Sequence, residues 1–166
     1  MTERNSAVPL AATVGLFAAW AVHDAEEWLT TAPWARARGI PMSDRMARTA
    51  IAVMGVLVAG AAIDGARTNG RSTLYQSVLL AYGLHGFTHA ANSIGVRGYS
   101  PGVATVPVAV VPFWLWASSR LERAGIRRPG RELAPHAAAA LVGGLGVSYG
   151  AAALFNRHLD DRMLER

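Results

Sequence analysis

The stretch TLYQSVLLAYGLHGFTHAANSIG, Thr73–Gly95, decides how the chain is read. It holds no Asp, Glu, Lys or Arg along its whole length, yet it carries His85 and His89. A helix needs ~20 mostly apolar residues to cross the ~30 Å hydrocarbon core of a bilayer. The stretch meets that length, so it predicts a spanning helix with two imidazoles inside it. Four further apolar segments flank it, at about 7–28, 47–66, 101–118 and 135–156. The reading is an all-α, five-helix transmembrane bundle forming a single domain over 1–166. A soluble bundle fits less well, because the third to fifth segments show almost no polar face.

Composition agrees. The 166 residues are 52% hydrophobic and only 16% charged, against ~25% charged in ordinary soluble domains. Disorder and a disulfide scaffold are excluded. All 16 basic residues are arginine, and they fall between the apolar runs instead of along one face. The formal charge of +5 therefore does not imply a nucleic-acid partner; the lipid bilayer is the expected one. The same arginines divide evenly between the two ends of the bundle, so the positive-inside rule gives no orientation. Absence of cysteine removes thiolate ligands and iron–sulfur clusters. The first residues, with one Arg and one Glu before an apolar run that ends in His23 and Asp24, lack the layout of a signal peptide.

Small features complete the expected bundle. Trp28, Trp34, Trp114 and Trp116 suit interfacial belts, and Trp20 lies deep enough to be packing. Gly143, Gly144, Gly146 and Gly150 read as close helix contacts. Pro107 and Pro112 are tolerable in a fourth helix whose neighbours re-satisfy freed carbonyls.

Ionisable groups inside such segments normally face the bundle interior and a partner. The first segment ends His23-Asp24-Ala25-Glu26-Glu27-Trp28. At ~100° per residue, Glu27 lies about 40° to one side of His23 and Glu26 about 60° to the other. The third segment places His85, His89 and Asn92 at i, i+4 and i+7, one stripe of a helix. His23 and His89 each lie ~24 Å from the same end of the bundle at 1.5 Å rise per residue. Two stripes at one height on parallel-running helices face each other. His23, Glu26, Glu27, His85 and His89 are then candidate ligands for one or two divalent ions of iron, manganese or zinc. His23, Glu26 and Glu27 are the candidate catalytic groups. Asn92, Tyr82, Tyr99 and Asp24 are expected around them, with Tyr99-Ser100-Pro101-Gly102 as a turn able to lid the site. Asp64, His136 and His158 are expected at helix ends or on the surface.

Three blocks carry a resemblance: His23-Asp24-Ala25-Glu26-Glu27-Trp28, His85-Gly86-Phe87-Thr88-His89, and Gly98-Tyr99-Ser100-Pro101-Gly102-Val103. In this order the chain resembles the HXXEE-domain proteins, small bacterial multi-pass membrane proteins, over roughly residues 15 to 115. The resemblance implies the bacterial inner membrane as location, and His23, Glu26, Glu27, His85 and His89 as functional positions, with no assigned reaction. No His-Glu-x-x-His, phosphate loop or Gly-x-Ser-x-Gly is present, and five histidines are too few for a membrane desaturase. The expected function is a metal-dependent, di-iron-like enzyme acting on a lipid or other apolar substrate. Two alternatives stand beside it: a metal-free acid/base isomerase or lipid-modifying enzyme, and a non-enzymatic ion-binding transporter or accessory subunit. Oligomeric state is not legible.

Overall fold

The computed structural model describes residues 7–164. They form α1 (Leu10–Arg36), α2 (Asp44–Arg67), α3 (Thr73–Gly95), a π-helical turn (Val106–Val110) continuing into α4 (Val111–Arg123), and α5 (Gly130–Leu164). The all-α class is as expected, and no strand occurs among the described residues. Two helices, α2 and α5, are long and apolar enough to cross a membrane. The expectation of five spans is thus met by two helices on length and composition, and α4 with 13 residues is too short to span by itself.

Helix starts follow local chemistry. Ser43 caps α2 by accepting the Met46 N–H at 3.0 Å, and Asp44 adds a negative charge to the first turn. Ser72 caps α3 by accepting the Tyr75 N–H at 3.2 Å. The α3 boundaries coincide with the sequence reading. α1 runs well past its expected end near residue 28, through Glu26 and Glu27 to Arg36. Both have partners inside the structure, and Ala32 and Ala35 beyond them are buried.

The fourth segment differs most. Residues 101–105 form a turn, and the helix that follows opens as a π turn in which the Thr105 carbonyl accepts the N–H of Ala109 at 2.8 Å and of Val110 at 3.4 Å. Pro107 lies within this turn and Pro112 just after it. Pro107 sits in the first turn, where its missing N–H costs nothing, whereas Pro112 has no N–H to give the turn before it, so regular α-helical bonding is interrupted there.

In the assembled ring α1 packs on α2, α2 on α5 and α5 on α3, while the π turn and α4 close the gap between α1 and α3. Leu16, Tyr75, Val110 and Leu121 are buried at the centre. The Tyr75 hydroxyl donates to the Ala12 carbonyl, tying α3 to α1. Trp20 lies against Gly55, where a Cβ would meet the ring at 2.7 Å. Gln76 is buried and fully employed: its amide nitrogen donates to the Gly70 carbonyl at 2.8 Å and the Ile126 carbonyl at 2.9 Å, while its oxygen accepts the Arg128 N–H at 2.8 Å. One side chain thereby fastens two loops at the same end of the ring.

Two corrections concern packing. Gly143, Gly146 and Gly150 face open space, and only Gly144 approaches a neighbour, with a Cβ there 3.2 Å from Met54. Trp114 packs on Gly83 in the core, so it is not a free interfacial anchor. Trp34 donates its indole N–H to the Tyr99 carbonyl at 2.8 Å.

Candidate metal centre

The helical repeat puts His23 and Glu27 one turn apart on α1, and His85 and His89 one turn apart on α3. The two helices touch little along their backbones, and the four side chains reach across the space between them. His23 Nε2 lies 3.2 Å from His89 Nε2, and His89 Nε2 lies 2.7 Å from His85 Nε2 and 3.4 Å from Glu27 Oε1. One ligand atom from each of His23, Glu27, His85 and His89 falls within 4.8 Å of all the others. Donors held about 2.0–2.1 Å from one tetrahedral ion stand ~3.3 Å apart. The spacings, 2.7–3.4 Å for the contacts above and at most 4.8 Å across the cluster, bracket that figure, so side-chain adjustment of about 1–2 Å closes this donor set on a single divalent ion.

A second layer holds the imidazoles. His23 Nδ1 lies 2.8 Å from the Thr105 hydroxyl. The other neighbours of that hydroxyl are Glu26 Oε2 at 2.7 Å and the Gly102 carbonyl at 3.0 Å, both acceptors. Its only proton goes to one of them, so toward His23 the Thr105 oxygen accepts. In the tautomer that metal ligation requires, His23 carries its proton on Nδ1, donates it to the Thr105 oxygen and directs its Nε2 lone pair at the other three donors. A carboxylate behind a ligating imidazole is the usual device for fixing tautomer and ring angle. Here a threonine hydroxyl stands between the two.

Glu26 is the anchor of this layer. It accepts the N–H of Thr105 at 2.8 Å and of Ala104 at 3.2 Å, and the Tyr99 hydroxyl at 2.7 Å. Burial, together with the adjacent Glu26 carboxylate, holds the Tyr99 phenol above its ordinary range, which keeps it a donor. Glu26 was expected among the ligands. Both its oxygens are instead turned onto the 99–105 turn, so it stands outside the four-residue cluster. Gly102 completes the cradle at φ +83°, a left-handed conformation. A Cβ on it would lie 2.7 Å from His89 Cε1 and 2.8 Å from His23 Cε1. Pro101 offers its backbone to His89 as a hydrogen-bond partner.

The other side of the cluster faces a cavity of about 510 Å³ between α1, α2, α3 and α5. Glu27 and His85 line it, together with Asp24, Tyr82, Ser148 and Tyr149, and the remaining walls are apolar. Tyr82 also meets the His23 ring edge-on at 6.3 Å between centroids. Asp24 is buried here and does not face solvent, while Asn92 is exposed and takes no part in the cluster. His136 and His158 are exposed, as expected. The Asp64 carboxylate accepts the Ser72 hydroxyl at the α2–α3 turn, also as expected of a helix end. Sequence reasoning missed Thr105, Ser148 and Tyr149. The Tyr-Ser-Pro-Gly turn pointed toward the first; nothing in the sequence pointed to the others.

The family described as a protein of unknown function with HXXEE motif matches residues 14–117, more than half of the chain and all of the cluster with its cradle. No curated protein and no solved structure matches the chain.

Proposed function

We propose that this chain, which belongs to the HXXEE family, is a membrane enzyme that uses one divalent ion, held by His23, Glu27, His85 and His89, to act on an apolar substrate. The observation that carries the reading is the convergence of three imidazole nitrogens and one carboxylate oxygen on a single point beside a cavity. Imidazole and carboxylate without thiolate suit iron, manganese or zinc. When bound, such an ion supplies Lewis acidity or an activated water. The chain's own residues do the rest. Glu26, through Thr105, orients His23; Gly102 lets the turn close over His23 and His89; Glu27 and His85 bring the cluster to the cavity wall.

Location in a membrane is supported by α2 and α5 and by the outward-facing surface. Val56 and Ile63 on α2, Val142 and Leu154 on α5, Ile94 on α3 and Val108 on the π turn are all exposed. Large apolar side chains exposed on four elements suit contact with lipid or a partner better than with water. The cavity reaches this surface at exposed Val56, Leu57, Leu74 and Val147, an opening suited to a substrate arriving from hydrocarbon.

Elemental analysis of protein purified in mild detergent without chelator tests the reading. One equivalent of metal is expected, lost in the double variant His85→Ala and His89→Ala. Metal-free wild-type protein would overturn it. Once a turnover assay exists, inhibition by chelator separates this reading from metal-free acid/base chemistry, which survives chelation.

A further inference from the structure

Three polar side chains in the cavity have no partner. Asp24 Oδ2, the Tyr82 hydroxyl and the Ser148 hydroxyl are each buried without a hydrogen bond. Asp24 and Tyr82 are 6% exposed and Ser148 is 1% exposed. All three line the cavity that His85 and Glu27 also line, and Asp24 lies within Coulomb range of Tyr82. A buried polar atom without a partner costs ~1–3 kcal/mol, and three of them lining one otherwise apolar cavity mark it as built for a polar group. Ser148 is informative because a helical serine ordinarily turns its hydroxyl back onto its own helix; this one does not.

The rest of the cavity is hydrocarbon. Ile51, Met54, Val58 and Leu141 are among its walls, and about 510 Å³ lies within the ~300–1,000 Å³ usual for small-molecule sites. The fitting ligand is therefore an apolar body with one small head. That head has to donate to a carboxyl oxygen and accept from a hydroxyl. A hydroxyl does both. A carboxylate head would be set against both Asp24 and Glu27, whereas a hydroxyl serves Asp24 Oδ2 whether that oxygen accepts or donates.

We propose that Asp24, Tyr82 and Ser148 form a headgroup site for the hydroxyl of an apolar alcohol, which the cavity holds with its hydroxyl-bearing carbon toward His85 and Glu27. That this alcohol is the substrate rests on the metal-enzyme reading above; that the site binds it does not.

Trp20 lines the cavity and reports on its contents. Protein in lipid nanodiscs is titrated with ω-bromoundecanol and with bromoundecane at equal bilayer mole fraction, following tryptophan quenching, with metal content measured on the same samples. Trp20→Phe identifies the Trp20 component. The alcohol is expected to quench that component at a concentration ~10-fold below the alkane, the effect of one to two hydrogen bonds. Tyr82→Phe and Ser148→Ala, which preserve shape, are each expected to reduce the preference several-fold, and Asp24→Leu to abolish it. Equal quenching by both probes, stronger quenching by ω-bromoundecylamine than by the alcohol, or a preference unchanged in Tyr82→Phe and Ser148→Ala would each overturn the proposal. Bound metal without alcohol preference removes the headgroup site and leaves the metal reading standing. Alcohol preference in protein without metal supports the headgroup site and removes the metal reading.

Discussion

Replacing Thr105 by valine removes one oxygen and preserves the shape of the side chain. In the intact protein that oxygen accepts the His23 Nδ1–H at 2.8 Å and donates to Glu26 Oε2 at 2.7 Å. Glu26 loses little in Thr105→Val, because the backbone N–H groups of positions 104 and 105 and the Tyr99 hydroxyl still serve it. His23 loses everything on that side. Its ring is fully buried, and an unpaired buried N–H costs ~1–3 kcal/mol. The alternative tautomer offers no escape, since a proton on Nε2 would block the lone pair a metal needs. Metal affinity should therefore fall ~10–100-fold, about 1.4–2.7 kcal/mol, the range seen when a residue behind a metal ligand is removed. Competition against a chelator of known affinity measures it directly, alongside thermal melting of the metal-free forms. Thr105→Ser, which restores the hydroxyl, should recover most of the affinity. If Thr105→Val binds metal as tightly as wild type, or if serine rescues nothing, the relay from Glu26 to His23 plays no part in holding the ion.

Other outcomes follow from the same geometry. Gly102→Ala places a methyl against His23 and His89 at a positive φ; it should lower metal affinity at least ~10-fold by displacing the rings, on top of ~1 kcal/mol of backbone strain, and wild-type binding in this variant would contradict the cradle. Glu27→Gln should weaken metal binding more than Glu26→Gln, since Glu27 alone is in the ligand cluster; chelator competition giving the reverse order would exchange their roles. Gln76→Ala breaks three buried hydrogen bonds far from the cluster; thermal denaturation should show a loss of ~2–4 kcal/mol, with the metal affinity of the folded protein unchanged.

The extent of α3 was legible because its signals are local, an uninterrupted run without Asp, Glu, Lys or Arg and two histidines one turn apart; its reading as a span was not met, since α2 and α5 are the two helices long and apolar enough to cross a membrane. The meeting of His23 with His89 was legible too, from depth counting on two helices of the same sense. The choice between Glu26 and Glu27 was not. Both flank His23 on α1, and what separates them is the turn at Ala104 and Thr105, far away in the chain. A turn at residues 99–102 was expected, but its continuation through Ala104 and Thr105 was not, because residues 101–118 read as one apolar helix with Pro107 and Pro112 tolerated inside it. Likewise, Ser148 lies in a glycine- and alanine-rich run of α5 that gives no hint of a cavity. Periodicity reports which residues share a face; it does not report which face ends up beside an opening.

The four clustered side chains and the turn that supports them all come from residues 23 to 105, within the stretch that matches the family. The far wall of the cavity, with Ser148 and Tyr149, comes from α5 beyond that stretch. The wall supplied by α5 is thus a separate part of the polypeptide from the clustered side chains, although Asp24 and Tyr82 of the proposed headgroup site lie within the matching stretch. On the proposed function, exchanging the last helix would change one wall of the cavity while leaving His23, Glu27, His85 and His89 in place, so relatives alike in their first three helices would differ in what the cavity admits.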